Sequence, residues 1–133
     1  MVAHEFILGG QRSGKSRCAE ARAAAWLASE GHSAVLLATA LPGDDEMRAR
    51  IARHRADRAL RVAGLSTLEV PRNLASALQA GSAAHRLVLV DCLTLWLTNL
   101  LMPIEVAALD DAALAAMRDD LCTALAAATG PVV

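Results

Sequence analysis

Residues 9 to 16 read GGQRSGKS, and the spacing of their glycines, lysine and serine is that of a phosphate cradle. The run fits G-x-x-x-x-G-K-[ST] from Gly9 and Gly10 through Gln11, Arg12, Ser13 and Gly14 to Lys15 and Ser16. Glycines let the backbone curl until successive N–H groups point at phosphate oxygens, and a helix starting there adds its positive end. In that arrangement Lys15 neutralises the β- and γ-phosphates, and the Ser16 hydroxyl ligates Mg2+. Such a cradle needs a second acidic group for the metal at the end of another strand. RLVLVD supplies Asp91 after the apolar run Leu87 to Val90. A strand-end aspartate is also a common helix cap, so spacing leaves both roles open.

A second candidate site lies in DDEMRARIARHRADR. On a helix Glu46, Arg50, His54 and Arg58 recur at i, i+4 and share one face, with Met47 and Ile51 on a neighbouring face suited to the core. A solvated helix laced with Glu–Arg pairs accounts for this periodicity. A chemical reading also accounts for it. Arginines around His54 favour the neutral, nucleophilic imidazole and hold polyphosphate while charge grows on a leaving group. That makes His54 a candidate acceptor of a phosphoryl or nucleotidyl group.

These residues must be positioned by elements that the pattern also predicts. Buried strands are expected at 5–10, 33–40, 66–70 and 86–91, where short apolar runs meet turn residues. Helices are expected at 16–31, 46–58, 74–81, over LTLWLTNLL and at 110–129, with Asp44 and Asp45 starting the second and Asp110 capping the last. Strands alternating with helices, each strand nearly all apolar, predict an α/β fold with a parallel sheet covered on both faces. GPVV at 130–133 reads as a turn entering one more buried strand, so the chain is expected to be a truncated form of a longer one.

Composition narrows the partners. The 133 residues suit one domain, residues 1–133, with a real core. Net charge is −1 and aromatics are 2%, so neither a basic face nor stacking rings point to a nucleic acid. Cys18, Cys92 and Cys122 are odd in number and far apart, which argues against a zinc site or a disulfide framework. The N-terminus has no basic leader before a long apolar run, and the strongest apolar run, 92–102, is too short to span a bilayer. A cytoplasmic protein is expected.

GGQRSGKS, ATALPGDDEMRARIARHRADR, STLEVP and LVLVDCLTLWLTNLL, in this order, resemble the bifunctional adenosylcobinamide kinase / adenosylcobinamide-phosphate guanylyltransferase family. The resemblance runs from the first strand to the last residue. It implies a P-loop, RecA-like fold and a homo-oligomer, a trimer. It also implies phosphorylation of adenosylcobinamide by ATP or GTP, then transfer of GMP from GTP through a covalent histidine, in cobalamin nucleotide-loop assembly. The RI-x-x-H motif places that histidine at His54. By the same resemblance Gly9 to Ser16 hold triphosphate, with Lys15 catalytic, and Ala38, Thr39 and Ala40 line the nucleotide pocket. Arg55, Ala56, Asp57 and Arg58 follow the histidine toward the guanylyl group. Glu69, in T-x-E-x-P, contacts GTP, and Asp91 contacts nucleotide or metal.

The chain departs from the family at Arg58-Ala59, where Arg-Pro is common, and at Gly64-Leu65, where a tryptophan is common. The family's C-terminal strand and helices are expected to be absent. Two alternatives remain: another small-molecule P-loop kinase in which His54 sits on a solvated face, and a non-enzymatic nucleotide-binding fragment.

Overall fold

The computed structural model describes residues 3–10, 13–103 and 106–133. Three apolar runs pair as parallel strands, β1 (Ser33–Ala38), β2 (Leu65–Glu69) and β3 (Arg86–Asp91), in the order β2-β1-β3. Five helices connect and cover them: α1 (Lys15–Leu27), α2 (Asp45–Arg61), α3 (Leu74–Gly81), α4 (Leu93–Leu101) and α5 (Asp111–Ala127). Parallel pairing in register sets Leu36 opposite Thr67 and Leu89, and Ala38 opposite Glu69 and Asp91. The C-terminal ends of all three strands therefore meet at one rim, where ligands bind in open α/β sheets.

Alternation along the strands builds two cores. Leu37 and Val88 face Leu74, Leu78, Trp96, Leu100 and Leu121 from α3, α4 and α5. Leu36, Leu87 and Leu89 face Ala23 of α1 and Val62, the residue that ends α2. Helices thus cover both faces, as the apolar runs predict. Trp96 is core, as an apolar helix predicts, and its indole Nε1 donates to Arg72 O at 2.8 Å. The expected caps are also in place, with Asp44 accepting from Met47 N at 2.7 Å and Asp110 from Ala113 N at 2.8 Å.

Two expectations are corrected. Residues 5–10 form no strand. The segment makes one backbone bond into the sheet region, from Glu5 N to Val132 O at 3.0 Å, and Phe6 and Leu8 stay exposed. The physical reason is the neighbour. Pro131–Val133 lies alongside β3, where Val88 N and Val90 N donate to Pro131 O and Val133 O, but it offers the N-terminal segment a single rung. Gly130 makes that approach possible, because a Cβ there would collide with the carbonyl oxygens of Ala83 and Arg86. The second correction concerns α2, whose Met47 and Ile51 do not pack on the core. No residue of α2 is buried, and Met47 is 38% exposed. Among the described residues no helix is long and apolar enough to cross a membrane.

The rim is held by Thr39, which is fully buried. Its hydroxyl donates to Cys92 O at 2.7 Å and accepts from Cys92 N at 2.8 Å, while Asn99 Nδ2 donates to Thr39 O at 2.7 Å. Thr39→Val keeps the shape but leaves the Cys92 N–H without its acceptor, while Cys92 O keeps Trp96 N at 3.1 Å, so a loss of about 1–3 kcal/mol is expected from the desolvation of the unpaired donor. Urea denaturation followed by circular dichroism measures it. A midpoint equal to that of the wild type would refute the clasp.

Candidate functional site

Ser13 and Gly14 lead straight into α1, and this entry depends on Gly14. That residue has φ +88° at the N-cap of α1, a left-handed conformation that disfavours any side chain. The helix begins at Lys15, so its unpaired N–H groups and positive end face the loop. Lys15 Nζ donates to Gly10 O at 2.9 Å, folding the lysine back over its own loop. Gly9, Gly10 and Ser13 are exposed around this turn, and Gln11 and Arg12 of the expected cradle lie outside the described residues.

Lys15 and Ser16 open onto a cavity of about 510 Å³ that Asp91, Glu20, Arg58 and the N-terminal segment also line. The structure therefore brings the cradle lysine, the hydroxyl and the strand-end carboxylate together. It also decides how α4 is capped. Cys92 is the N-cap, its sulfur accepting from Leu95 N at 3.5 Å, so Asp91 is not engaged as the cap. Asp91 instead faces Arg58 Nη2 at 3.5 Å. Ser16 and Asp91 offer two oxygen donors to one cavity, a set that suits Mg2+, which keeps several waters and binds through a carboxylate plus substrate phosphates. Among the described residues no cluster of three or more His, Cys, Asp and Glu side chains forms. The cavity would thus supply a hydroxyl and a carboxylate, with the remaining ligands left to water and phosphate.

A carboxylate that sequence reasoning missed organises this cavity. Glu20 lies one helical turn after Ser16 on α1 and is 4% exposed. Arg61 donates to both its oxygens, Nε at 2.9 Å and Nη2 at 2.8 Å, and Arg58 Nε stands 3.7 Å from Oε1. The doubly hydrogen-bonded Arg61 holds the Glu20 carboxyl below its ordinary range against the opposing effect of burial, with further attraction from Arg61, Arg58 and Arg17. The signal in the sequence was faint: one glutamate in an Ala-rich helix, and two arginines spaced i, i+3. Only the tertiary crossing of α1 and α2 shows that they meet.

Charge in the cavity then follows by pairing. Among the described residues Arg22 binds Glu5 at 2.8 Å and Arg61 binds Glu20, so Lys15 and Arg58 face Asp91 with one positive charge in excess. That balance favours an anion.

The other expected site residues are distributed differently. Ala38, Thr39 and Ala40 do not line this cavity, and the Thr39 hydroxyl is bonded to the Cys92 backbone. His54, Arg55, Ala56 and Asp57 are exposed on α2. His54 is one turn, about 6 Å along the axis, from Arg58. It does not line the cavity. Arg55 and Glu69 are brought together, with Nη1 3.8 Å from Oε1, as an open ion pair at the rim of β2. Glu46 and Arg50 line a shallow depression with Asp44, Met47 and Arg53.

A sequence model of the family described as cobinamide kinase / cobinamide phosphate guanyltransferase matches residues 5–133. The chain belongs to that family. It is 53% identical over 98 residues to the bifunctional adenosylcobalamin biosynthesis protein CobP of Pseudomonas aeruginosa, covering 74% of this chain and 53% of that protein. It is 38% identical over 96 residues to the proteins of the same description named CobU in Salmonella typhimurium and Escherichia coli, covering 72% of this chain and 49% of each. The chain spans about half the length of the curated relatives it matches. The α/β fold seen here, with a parallel sheet between helices and α1 starting at Lys15, agrees with the P-loop fold of this family.

Because folding lowers the pKa of Glu20, the unfolded chain binds more protons around its ordinary value of 4.5. The ion cluster therefore stabilises the fold fully above that value and is lost as pH falls through the lower, folded one. Glu20→Gln should flatten this acid limb. Urea midpoints compared at neutral pH and near pH 4 test it. An identical loss on acidification in both proteins would count against the cluster.

Proposed function

We propose that this chain is the nucleotide-handling part of an enzyme that phosphorylates adenosylcobinamide with ATP or GTP and then transfers GMP from GTP to the phosphate formed. The observation that carries this reading is the meeting of Lys15, Ser16, Asp91 and Arg58 around one cavity in a chain of this family. In the first step a hydroxyl oxygen of the corrinoid attacks the γ-phosphorus. The bond to the nucleoside diphosphate breaks, and the hydroxyl proton leaves to solvent. Lys15 moves from Gly10 O to the β- and γ-oxygens, and the N–H groups of the Gly9–Ser16 turn hold the rest of the triphosphate. Ser16 and Asp91 would hold Mg2+, which when bound neutralises charge on the phosphate oxygens.

In the second activity a ring nitrogen of His54 attacks the α-phosphorus of GTP and pyrophosphate departs. An oxygen of adenosylcobinamide phosphate then displaces the histidine, breaking the P–N bond and returning a neutral imidazole. Arg55, Ala56, Asp57 and Arg58 lie along the guanylyl path, and Glu69 faces the nucleotide beside Arg55. Exposure of His54 leaves it free for such an encounter. The assembly expected with this activity is a homotrimer, to be read from mass by light scattering, and the cytoplasm is where free ATP and GTP would reach it.

A kinase without guanylyl transfer is favoured by one observation: His54 does not line the cavity that holds Lys15. Two variants separate the readings. Lys15→Ala should abolish phosphorylation of adenosylcobinamide, a loss on the order of 100-fold or more for removal of the cation that meets the transferred group. Turnover within a few-fold of wild type would defeat the kinase assignment. His54→Ala should leave phosphorylation intact and remove the label that α-labelled GTP leaves on denatured protein. Undiminished label on His54→Ala would leave the kinase alone standing.

A further inference from the structure

We propose that Glu20 is a positioning residue: it holds the Arg58 guanidinium in the cavity and short of closing on Asp91, so that both groups stay available to a nucleoside triphosphate. This inference rests on the reading of the cavity as a triphosphate site.

The argument starts from an incomplete set of hydrogen bonds. Arg58 is nearly buried, with its side chain 11% exposed, yet its Nε–H has no hydrogen-bond partner among the described residues. A buried donor without an acceptor is costly and calls for a physical account. Two carboxylates stand near it and neither takes it. Glu20 Oε1 is 3.7 Å from Nε, and Asp91 Oδ2 is 3.5 Å from Nη2, whereas a charge-assisted N–H···O bond closes at about 2.7–2.9 Å. Arg58 is drawn toward both by charge and saturated by neither.

Glu20 is drawn toward Arg61, which binds both of its oxygens at 2.8 and 2.9 Å, and this leaves Arg58 Nε at 3.7 Å. Asp91 does not capture Arg58 because the Glu20 charge attracts the Nε end of the guanidinium while Asp91 faces its Nη2. If the Glu20 charge is removed, Asp91 becomes the nearest carboxylate without a competitor, and Arg58 closes on it. A closed Arg–carboxylate pair would take a cation and an acid out of the cavity together. With Glu20 charged, Arg58 keeps a planar set of donors facing a cavity that also holds Lys15 and Ser16. Phosphate oxygens are the acceptors that this fork fits. Both Glu20 oxygens are held by Arg61. Glu20 acts through Arg58.

The test is a double-mutant cycle on ATP affinity in the full chain, by titration calorimetry with and without Mg2+, using wild type, Glu20→Gln, Arg58→Ala and the double variant. Each single change should weaken ATP binding by about tenfold, and the double variant should bind no more weakly than Arg58→Ala, because the two residues act as one unit. Glu20→Gln binding as tightly as wild type, or single losses that multiply in the double variant, would overturn the inference. If Glu20→Gln loses its helical circular-dichroism signal, the same cycle is run with Glu20→Asp. That change keeps the charge and withdraws it by about one bond length, so a loss of about threefold is expected that again vanishes without Arg58. Losses that multiply there overturn the proposal equally. Lys15→Ala separates the two levels. ATP affinity insensitive to Lys15→Ala defeats the triphosphate reading and the inference with it. Affinity that depends on Lys15, with Glu20 and Arg58 effects that multiply, defeats the inference alone.

Discussion

Burying the Glu20 carboxylate is the constraint on which the placement of the second site depends. A charge taken out of water is tolerable only when paired and hydrogen-bonded, and removal of one partner from such a pair is strongly destabilising. Here the partners come from α2, a helix with no buried residue of its own. Its C-terminal turns are held by Arg58, Arg61 and the following Val62, while the turns bearing Arg50 and His54 project into solvent. The same ion cluster that neutralises α1 behind the phosphate turn thus fixes where the histidine helix starts its reach.

The rim where the strands end is organised by ordinary backbone satisfaction. Thr39, Cys92 and Asn99 close a set of hydrogen bonds that joins the ends of β1 and β3 to α4. Asn99 also donates to Pro71 O at 2.9 Å, and Arg72 Nη1 donates to Asn99 O at 2.8 Å, so the segment after β2 belongs to the same unit. Asp91 stands on this framework. With Cys92 capping α4, its carboxylate has no structural duty at the helix end and is left to the cavity.

Much of this was legible in the sequence for specific reasons. Continuous apolar runs such as RLVLVD and SAVLLA read as strands buried on both faces, and Asp44 and Asp110 marked helix starts through their caps. Gly14 could be read because a backbone that curls into a helix start favours glycine, and its φ is +88°. What stayed hidden depended on tertiary crossings. EFILGG has strand composition, yet a strand exists only where a neighbour supplies rungs, and Glu5 finds one. Met47 and Ile51 have the periodicity of a core face, but the core lies behind the other end of α2. The bonding of Thr39 to Cys92 was not legible either, because it depends on the return of β3. The same holds for Glu20, whose partners are some forty residues away.

The rung between Glu5 and Val132 has a consequence for the order of folding. The segment that leads into the phosphate turn is fastened through Glu5, and through His4 whose Nδ1 accepts from Val132 N at 3.1 Å, to a stretch 128 residues downstream. Loop closure over that separation is the most demanding contact in the chain, and contacts of long sequence separation form late. On a ribosome α1 to α4 and the β1–β3 pairing are complete in sequence some thirty residues before Val132 emerges. The wall of the cavity nearest Gly9 therefore cannot be completed until Val132 has been made.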